Sequence, residues 1–152
     1  TYWPQLFLGI TFNYGLILGW TSIVGEISIA PTILYLGAIF WTLGYDTIYG
    51  FQDIKDDEII GVKSTSIKFK NKPKNFVITC YFFLISSTLI LGILMNYNYF
   101  FYISLLITIN HLFFCQIKFF NSKDPISCLK VFKKNNMTGL IIFFNILIGK
   151  IL

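Results

Sequence analysis

The chain has 152 residues, of which 55% are hydrophobic and only 12% charged, whereas a soluble domain usually carries about 25% charged residues. Its net charge of +5 is the difference between twelve basic residues, all of them lysine, and seven acidic residues. These lysines lie in short segments between long apolar runs, which fits the positive-inside rule of membrane proteins better than a nucleic-acid surface. Composition therefore excludes an ordinary soluble domain and a nucleic-acid partner, and it indicates a protein of the lipid bilayer.

Five apolar runs are long enough to be considered as membrane spans, since a transmembrane helix needs about 20 apolar residues. The runs are continuous rather than alternating, which favours helices over the strands of a barrel. We therefore expect an all-α, polytopic membrane helix bundle. Its predicted spans are residues 5–25, 31–51, 76–95, 99–117 and 137–152, of which the last is short.

The connections between these runs alternate in charge. Residues 53–75 and 118–136 are rich in lysine, whereas residues 26–31 and 96–98 contain none. The positive-inside rule places the lysine-rich connections on the cytoplasmic side, and five spans then put Thr1 inside and Leu152 outside. The three cysteines have no metal-ligand spacing, and we interpret them as small hydrophobic residues.

The second apolar run leads into a segment rich in carboxylates. If its helix continues to about Ile60 and Gly61 ends it, Asp46, Asp53 and Asp57 lie on one face, with Asp53 and Asp57 about 6 Å apart along the axis. Like charges at this spacing repel one another.

Such a spacing suits a hard divalent cation. Mg²⁺ takes few protein carboxylates and commonly bridges them to phosphate oxygens, so the segment predicts Mg²⁺ and a phosphorylated ligand, with Asp53, Asp56 and Asp57 as metal ligands. Asp46 lies inside an apolar run, where an ionisable residue is a functional candidate. The alternative for residues 53–58 is a solvated helix end whose acidic charge balances the neighbouring lysines.

Downstream, Lys63, Ser64 and Thr65 supply a cation and two hydroxyls that could bind a diphosphate. By themselves they are a weak motif, because the upstream glycine of a Walker A loop is absent. Asn13, in the first run, either lines a substrate pocket or forms an interhelical hydrogen bond. For His111, in the fourth run, a hydrogen-bonded packing role is the favoured interpretation.

The segment "YDTIYGFQDIKDDEIIGVKSTS" resembles the second aspartate-rich motif of the UbiA family of membrane prenyltransferases, "YDTxYAxxDxxDDxxxGxKSTA". Gly50 and Ser66 stand where that pattern has Ala. Two further stretches, "WPQLFLGITFNYGLILGW" and "CLKVFKKNNMTGLIIF", resemble other parts of the family. The matched residues are Tyr45, Asp46, Thr47, Tyr49, Asp53, Asp56, Asp57, Gly61, Lys63, Ser64 and Thr65.

The resemblance implies the C-terminal half, residues 1–152, of a single nine-helix prenyltransferase domain in the inner (cytoplasmic) membrane, with its site toward the cytoplasm. The family's first aspartate-rich motif and four earlier helices lie outside this sequence, so we expect the chain alone to be inactive. Within the family it is most similar to members that transfer a polyprenyl group from polyprenyl diphosphate to 4-hydroxybenzoate in ubiquinone biosynthesis, with Mg²⁺ as cofactor.

The residues expected to act are carried over from that motif. Asp53, Asp57 and Lys63 are the expected catalytic residues. The expected substrate-binding residues are Asp46, Tyr49, Lys63, Ser64, Thr65 and Asn13. The alternatives are a family member with another acceptor (dihydroxynaphthoate, or a haem or chlorophyllide precursor) and, from another class, a fragment of a membrane transporter with a cation site.

Overall fold

A computed structural model describes residues 1–151, which are 78% helical and contain no strand. The predicted all-α class is thus confirmed. A π-helical segment, His111–Ile117, continues α7 without a break. The helices are α1 Pro4–Phe12, α2 Gly15–Val24, α3 Ile29–Gly50, α4 Ile54–Ile59, α5 Thr65–Lys68, α6 Pro73–Leu94, α7 Tyr99–Asn110, α8 Pro125–Lys133 and α9 Asn135–Ile151.

Three helical stretches are long and apolar enough to cross a membrane, namely Pro4–Val24, Pro73–Leu94 and Tyr99–Ile117. They correspond to three of the five predicted spans. The other two predicted spans, 31–51 and 137–152, are not among these three, although α3 and α9 are helical over 31–50 and 137–151. Helix α3 has 22 residues, about 33 Å of helix, but it is less apolar because it carries Asp46 and several polar residues. Helix α9 has 17 residues, and Leu152 lies outside the described part. The chain is a multi-pass membrane protein.

The first predicted span is two helices rather than one. The helical pattern is interrupted at Asn13 and Tyr14. There the side-chain nitrogen of Asn13, Nδ2, donates to the Gly9 carbonyl at 2.8 Å. An asparagine side chain that bonds a backbone carbonyl of its own helix competes with the helical ladder. The same nitrogen lies 2.8 Å from Thr42 Oγ1 of α3, so the interruption ties the first span to α3.

Helices α3 and α6 form the central pair of the bundle. A Cβ at Gly44 would lie 3.0 Å from the Cβ of Cys80, so the two backbones approach closely where both residues are small. Around this contact, the buried core includes Ile48, Tyr81 and Leu84. Cys80 is a free cysteine that is 1% exposed, in keeping with its interpretation as a small hydrophobic residue.

The connections gather at two ends of the bundle, as the charge alternation predicts. Residues 71–75 and 118–122, from the two lysine-rich segments, line one cleft. At the other end, the Asn98 side chain donates to the Ile148 carbonyl at 2.9 Å, which brings the 96–98 connection to the end of α9. The end at which α3 ends and α6 begins is called the lysine-rich end below.

The π-helical segment places a polar side chain in the core. Its wider turn is marked by the bond from the Lys118 N–H to the Phe113 carbonyl, at 3.0 Å. Gln116, which is fully buried, accepts a hydrogen bond from the Tyr81 hydroxyl at 2.6 Å and donates to Thr138 Oγ1 at 2.7 Å. These bonds join α6, the π-helical segment and α9. His111 Nε2 lies 3.2 Å from the Lys134 carbonyl, which agrees with a packing role.

Candidate functional site

The carboxylate segment begins with a break in the helix. Helix α3 ends at Gly50, and α4 begins at Ile54 with Asp53 at its N-cap position. The prediction of one helix from α3 to Ile60 is therefore wrong. Phe51 directly follows α3; its side chain is 2% exposed and packs on Phe120 with ring centroids 5.7 Å apart. It lies three residues after the buried Ile48 and so continues the inward face of α3, and the helical pattern stops at residues 51–53.

The break separates the acidic residues into two groups. Asp46 stays on α3, whereas Asp53, Asp56 and Asp57 lie on or next to α4, so the predicted common face of Asp46, Asp53 and Asp57 does not form. Asp53 and Asp57 remain one turn apart, and the Asp57 N–H donates to the Asp53 carbonyl at 2.9 Å. Gly61 follows α4 with a φ of 76°, as expected of a glycine that ends a helix.

Few of these charges are neutralised inside the protein. Among residues 1–151, the one ion pair joins Lys70 to Glu58 at 2.6 Å, between side chains that are 51% and 41% exposed. The carboxylates of Asp53, Asp56 and Asp57 take no part in it. Lys63 is exposed, and its Nζ lies 5.8 Å from the centre of the Tyr2 ring. Cationic and anionic groups therefore remain available at this end for a ligand.

The described residues do not form a metal site by themselves. Within residues 1–151, no cluster of three or more His, Cys, Asp or Glu side chains has an arrangement that could hold a metal ion. One or two carboxylates are nevertheless a suitable protein contribution for Mg²⁺, because this ion usually keeps several waters and binds substrate phosphates as well. Asp53 and Asp57 fit such a partial site.

Ser64 and Thr65 lie in a buried hydrogen-bond network that fixes α5. The Ser64 hydroxyl accepts from the Ile67 N–H at 3.3 Å and caps α5. Thr65 Oγ1 lies 2.6 Å from Thr47 Oγ1 of α3. The two residues are 3% and 0% exposed, so their hydroxyls are occupied within the protein. In this arrangement they position the loop that carries Lys63, and their predicted contact with substrate is not visible.

Two further side chains complete this anchor. Gln5 Oε1 on α1 accepts a hydrogen bond from the Thr65 N–H at 3.0 Å, and the Ser66 hydroxyl donates to the Thr47 carbonyl at 2.9 Å. Sequence reasoning missed Gln5, because it lies 60 positions away from Thr65 in a run that otherwise looks like lipid-facing helix. A polar residue near the start of an apolar helix was the available signal.

Tyr49 lies on the side of α3 that faces α8. Tyr49 is 43% exposed, and its ring packs against the ring of Phe132 with centroids 4.7 Å apart. One turn earlier, Tyr45 packs on the same ring at 5.8 Å. One further turn back, Trp41 Nε1 donates to Asn135 Oδ1 at 2.9 Å. This aromatic row, Trp41, Tyr45 and Tyr49, is a candidate wall for an apolar substrate.

Asn13 is engaged in interhelical bonding. Besides its bond to Thr42, its amide nitrogen lies 3.3 Å from the Ala38 carbonyl. Of the two alternatives for Asn13, the structure therefore shows the interhelical hydrogen bond, and a direct role in substrate binding stays a prediction.

The sequence matches the family model described as "UbiA prenyltransferase family" over residues 1–147. A protein of Dictyostelium discoideum named "4-hydroxybenzoate polyprenyltransferase, mitochondrial" is 38% identical over 155 residues, covering 100% of this chain and 33% of the relative. A "4-hydroxybenzoate octaprenyltransferase" of Francisella tularensis subsp. novicida is 38% identical over 141 residues, covering 92% of the chain and 49% of the relative. A "4-hydroxybenzoate geranyltransferase 2" of Lithospermum erythrorhizon is 38% identical over 154 residues, with 99% and 49% covered.

The chain thus spans from a third to a half of the length of these relatives, at 33% and 49%. No solved structure matches it. The family match nevertheless extends over nearly the whole sequence, including the acidic segment and the lysine-rich connections. On that ground, the chain belongs to the UbiA prenyltransferase family.

Proposed function

We propose that this chain forms part of an enzyme that transfers a polyprenyl group from polyprenyl diphosphate to the ring of 4-hydroxybenzoate, in the biosynthesis of ubiquinone. The observation that carries the proposal is the similarity, over 92–100% of this chain, to relatives named for prenylation of this acceptor. The unpaired carboxylates and Lys63 at the lysine-rich end supply groups suited to a diphosphate. The relatives' names include both octaprenyl and geranyl donors, so the donor length is left open.

In the proposed reaction, the bond between the prenyl carbon and the diphosphate oxygen breaks, and the electron pair leaves with the diphosphate. Lys63 stabilises the negative charge that develops on the departing oxygens. The ring carbon next to the acceptor's hydroxyl then bonds to the allylic carbon, and its proton passes to water or to the released diphosphate, which restores the aromatic ring. Asp53 and Asp57 are proposed to hold Mg²⁺, with Asp56 beside them. Bound there, Mg²⁺ would supply further stabilisation of the leaving group's charge.

The aromatic row of α3 is proposed to shield the allylic centre from water. Tyr45 and Tyr49, packed on Phe132, offer apolar surface near the lysine-rich end, and aromatic faces also attract a cation. Asp46, which follows Tyr45 in α3, lies near the same end and is proposed to contact the acceptor or the diphosphate.

We further propose that the lysine-rich end faces the cytoplasm of a bacterial cell, or the matrix if the protein is mitochondrial. Support comes from the positive-inside rule and from relatives named as mitochondrial. A cysteine introduced at Lys74 would then be labelled by a membrane-impermeant maleimide only after that compartment is opened. Labelling from the opposite side of intact membranes would contradict this orientation.

The test of the proposed site uses the complete gene product, purified and assayed for Mg²⁺-dependent prenyl transfer. Asp53→Asn and Asp57→Asn keep the size of the side chain but remove its charge. Each is expected to lower kcat about a hundredfold, corresponding to about 3 kcal/mol for one group that stabilises developing charge, with a smaller effect on the acceptor KM. Added Mg²⁺ should partly restore either variant.

Glu58→Gln is the matched control. Glu58 belongs to the same acidic segment, but its carboxylate is paired with Lys70 at the surface, and an exposed pair of this kind contributes about 0–1 kcal/mol. The control should stay within about fivefold of the parent, the change that 1 kcal/mol produces. If both aspartate variants keep the parental rate at limiting Mg²⁺ while Glu58→Gln is inactive, the assignment of the metal-binding carboxylates is wrong.

A further inference from the structure

The two lysine-rich segments form a basic cleft that the proposed prenyl transfer does not use. The cleft has a volume of about 620 Å³ and lies between the start of α6 and the chain that follows the π-helical segment. Lys72 and Lys74 line it from one side and Lys118 from the other. These two sides are more than forty positions apart in the sequence, so the fold itself brings the three lysines to one cleft.

The positive charge of this basic cleft is not balanced within the protein. Of the described residues that line it, none is acidic, and the one ion pair among residues 1–151, Lys70 with Glu58, lies outside it. Helix α6, which has 22 residues, begins here, and no side chain caps its N-terminus. The first N–H groups of a helix carry partial positive charge and favour an anion. Because Pro73 has no N–H, those of Lys74 and Asn75 are the donors of this first turn. Asn121 and Ser122 are neutral polar residues of the same lining.

The level of the basic cleft in the membrane indicates what kind of anion would occupy it. Lys72 directly precedes the candidate span Pro73–Leu94, and Lys118 directly follows the candidate span Tyr99–Ile117. The lysines therefore lie at the edge of the hydrocarbon layer, where phospholipid headgroups lie. Phe119, which is 58% exposed, also lines the cleft and offers an apolar surface to an acyl chain beside the charged groups.

We propose that this basic cleft binds the phosphate-bearing headgroup of an anionic phospholipid. The phosphate would be held by Lys72, Lys74 and Lys118 together with the first turn of α6, while the acyl chains lie along the apolar surfaces of the adjoining spans. Basic pockets between transmembrane helices on the positive side of a membrane bind lipid headgroups through the same combination of groups. A free phosphate ion shares the headgroup's chemistry but gains nothing from Phe119 or the spans.

The experiment uses the complete gene product in an uncharged detergent. Dissociation constants are measured for dihexanoyl phosphatidylglycerol, dihexanoyl phosphatidylcholine and inorganic phosphate. The test variant is Lys72→Gln/Lys74→Gln/Lys118→Gln. The control, Lys123→Gln/Lys130→Gln/Lys133→Gln, removes the same charge from exposed lysines of the same segment that do not line the cleft. Circular dichroism establishes that each variant is folded, and Lys118→Gln alone replaces the test variant if it is not.

The parent and the control variant should bind phosphatidylglycerol with the same affinity. The test variant should bind it at least about tenfold more weakly, since each lysine near a membrane surface contributes about 1 kcal/mol. If inorganic phosphate binds the parent with an affinity similar to that of phosphatidylglycerol, and the test variant no longer binds it, the cleft is an anion site that recognises the phosphate group alone. The proposal is overturned if neither anion binds the parent, if phosphatidylcholine binds equally well, or if the test and control variants weaken binding to the same extent.

Discussion

A contact between α3 and α5 makes a sharp prediction about two neighbouring positions in the site. Gly50 is the last residue of α3, and a Cβ built on it would collide with the hydroxyl oxygen of Ser66. That hydroxyl cannot move away without a cost, because it donates to the Thr47 carbonyl at 2.9 Å in a residue that is 0% exposed. The motif that the chain resembles has Ala at both positions.

The two positions are therefore expected to be coupled. Gly50→Ala forces the Ser66 side chain out of place, and overpacking of this kind costs about 1–3 kcal/mol. Ser66→Ala alone removes one buried hydrogen bond, which costs about 0.5–1.5 kcal/mol. In the double variant the collision is gone, and Ala is favoured over Gly in a helix by up to about 1 kcal/mol. The double variant should thus be at least as stable as Ser66→Ala, with a coupling of about 1–3 kcal/mol.

The assay is thermal unfolding of the complete gene product in detergent, followed by tryptophan fluorescence for the parent, both single variants and the double variant. For a protein of 150–250 residues, 1 kcal/mol corresponds to about 2–4 °C in Tm, and the shift is smaller in a longer protein, so Gly50→Ala should lower Tm by at least about 1 °C. Adding Ser66→Ala to it should raise Tm again. Additive losses in the double variant would refute the reasoning, because they would show that Gly50 and Ser66 do not compete for the same space.

Three further predictions concern other parts of the fold. Gln116→Leu removes the acceptor of the buried Tyr81 hydroxyl and the donor to Thr138 Oγ1, whereas the Thr138 hydroxyl keeps its bond to the Lys134 carbonyl. We therefore expect a loss of about 1–3 kcal/mol, measured as a lower Tm, and an unchanged Tm would contradict the network. Burial raises the pKa of the Cys128 thiol to about 11. In a variant whose only cysteine is Cys128, alkylation at pH 7.5 should therefore be more than about a hundredfold slower in the folded protein than after unfolding. Equal rates in the two states would show that the thiol is exposed. Gly61 has a φ of 76° with open space around it. Gly61→Ala should therefore lower the free energy of unfolding by about 1–2 kcal/mol, and Gly61→Asn should lower it less. An equal Tm for the two variants would argue against the left-handed conformation.

The features that sequence predicted well depend on local or one-dimensional signals. The length of the apolar runs predicts the helical class, and the lysine content of each connection predicts at which end of the bundle it lies. Gly61 was identified as a helix end, and it ends α4, because a residue without Cβ is favoured there. Each of these inferences needs only the neighbouring residues or the overall composition.

The features that sequence missed depend on contacts between distant segments. The break after Gly50 could not be predicted from periodicity, because Phe51 lies three residues after the buried Ile48 and so continues the inward face of a helix; its partner Phe120 lies in another connection. The interruption at Asn13 likewise depends on Thr42 of another helix.

The break after Gly50 changes how the carboxylates can act. On one continuous helix, Asp46, Asp53 and Asp57 would stack at intervals of whole turns and repel one another. In the structure, Asp46 belongs to α3, whereas Asp53 and Asp57 belong to the segment after the break, which α5 ties back to Thr47 of α3 and to Gln5 of α1. Such an arrangement presents a cation with only one or two carboxylates from this segment. If these carboxylates hold Mg²⁺ as proposed, the ion would fill its remaining positions with water and phosphate oxygens, so an incomplete protein site of this kind would favour binding the ion together with a diphosphate.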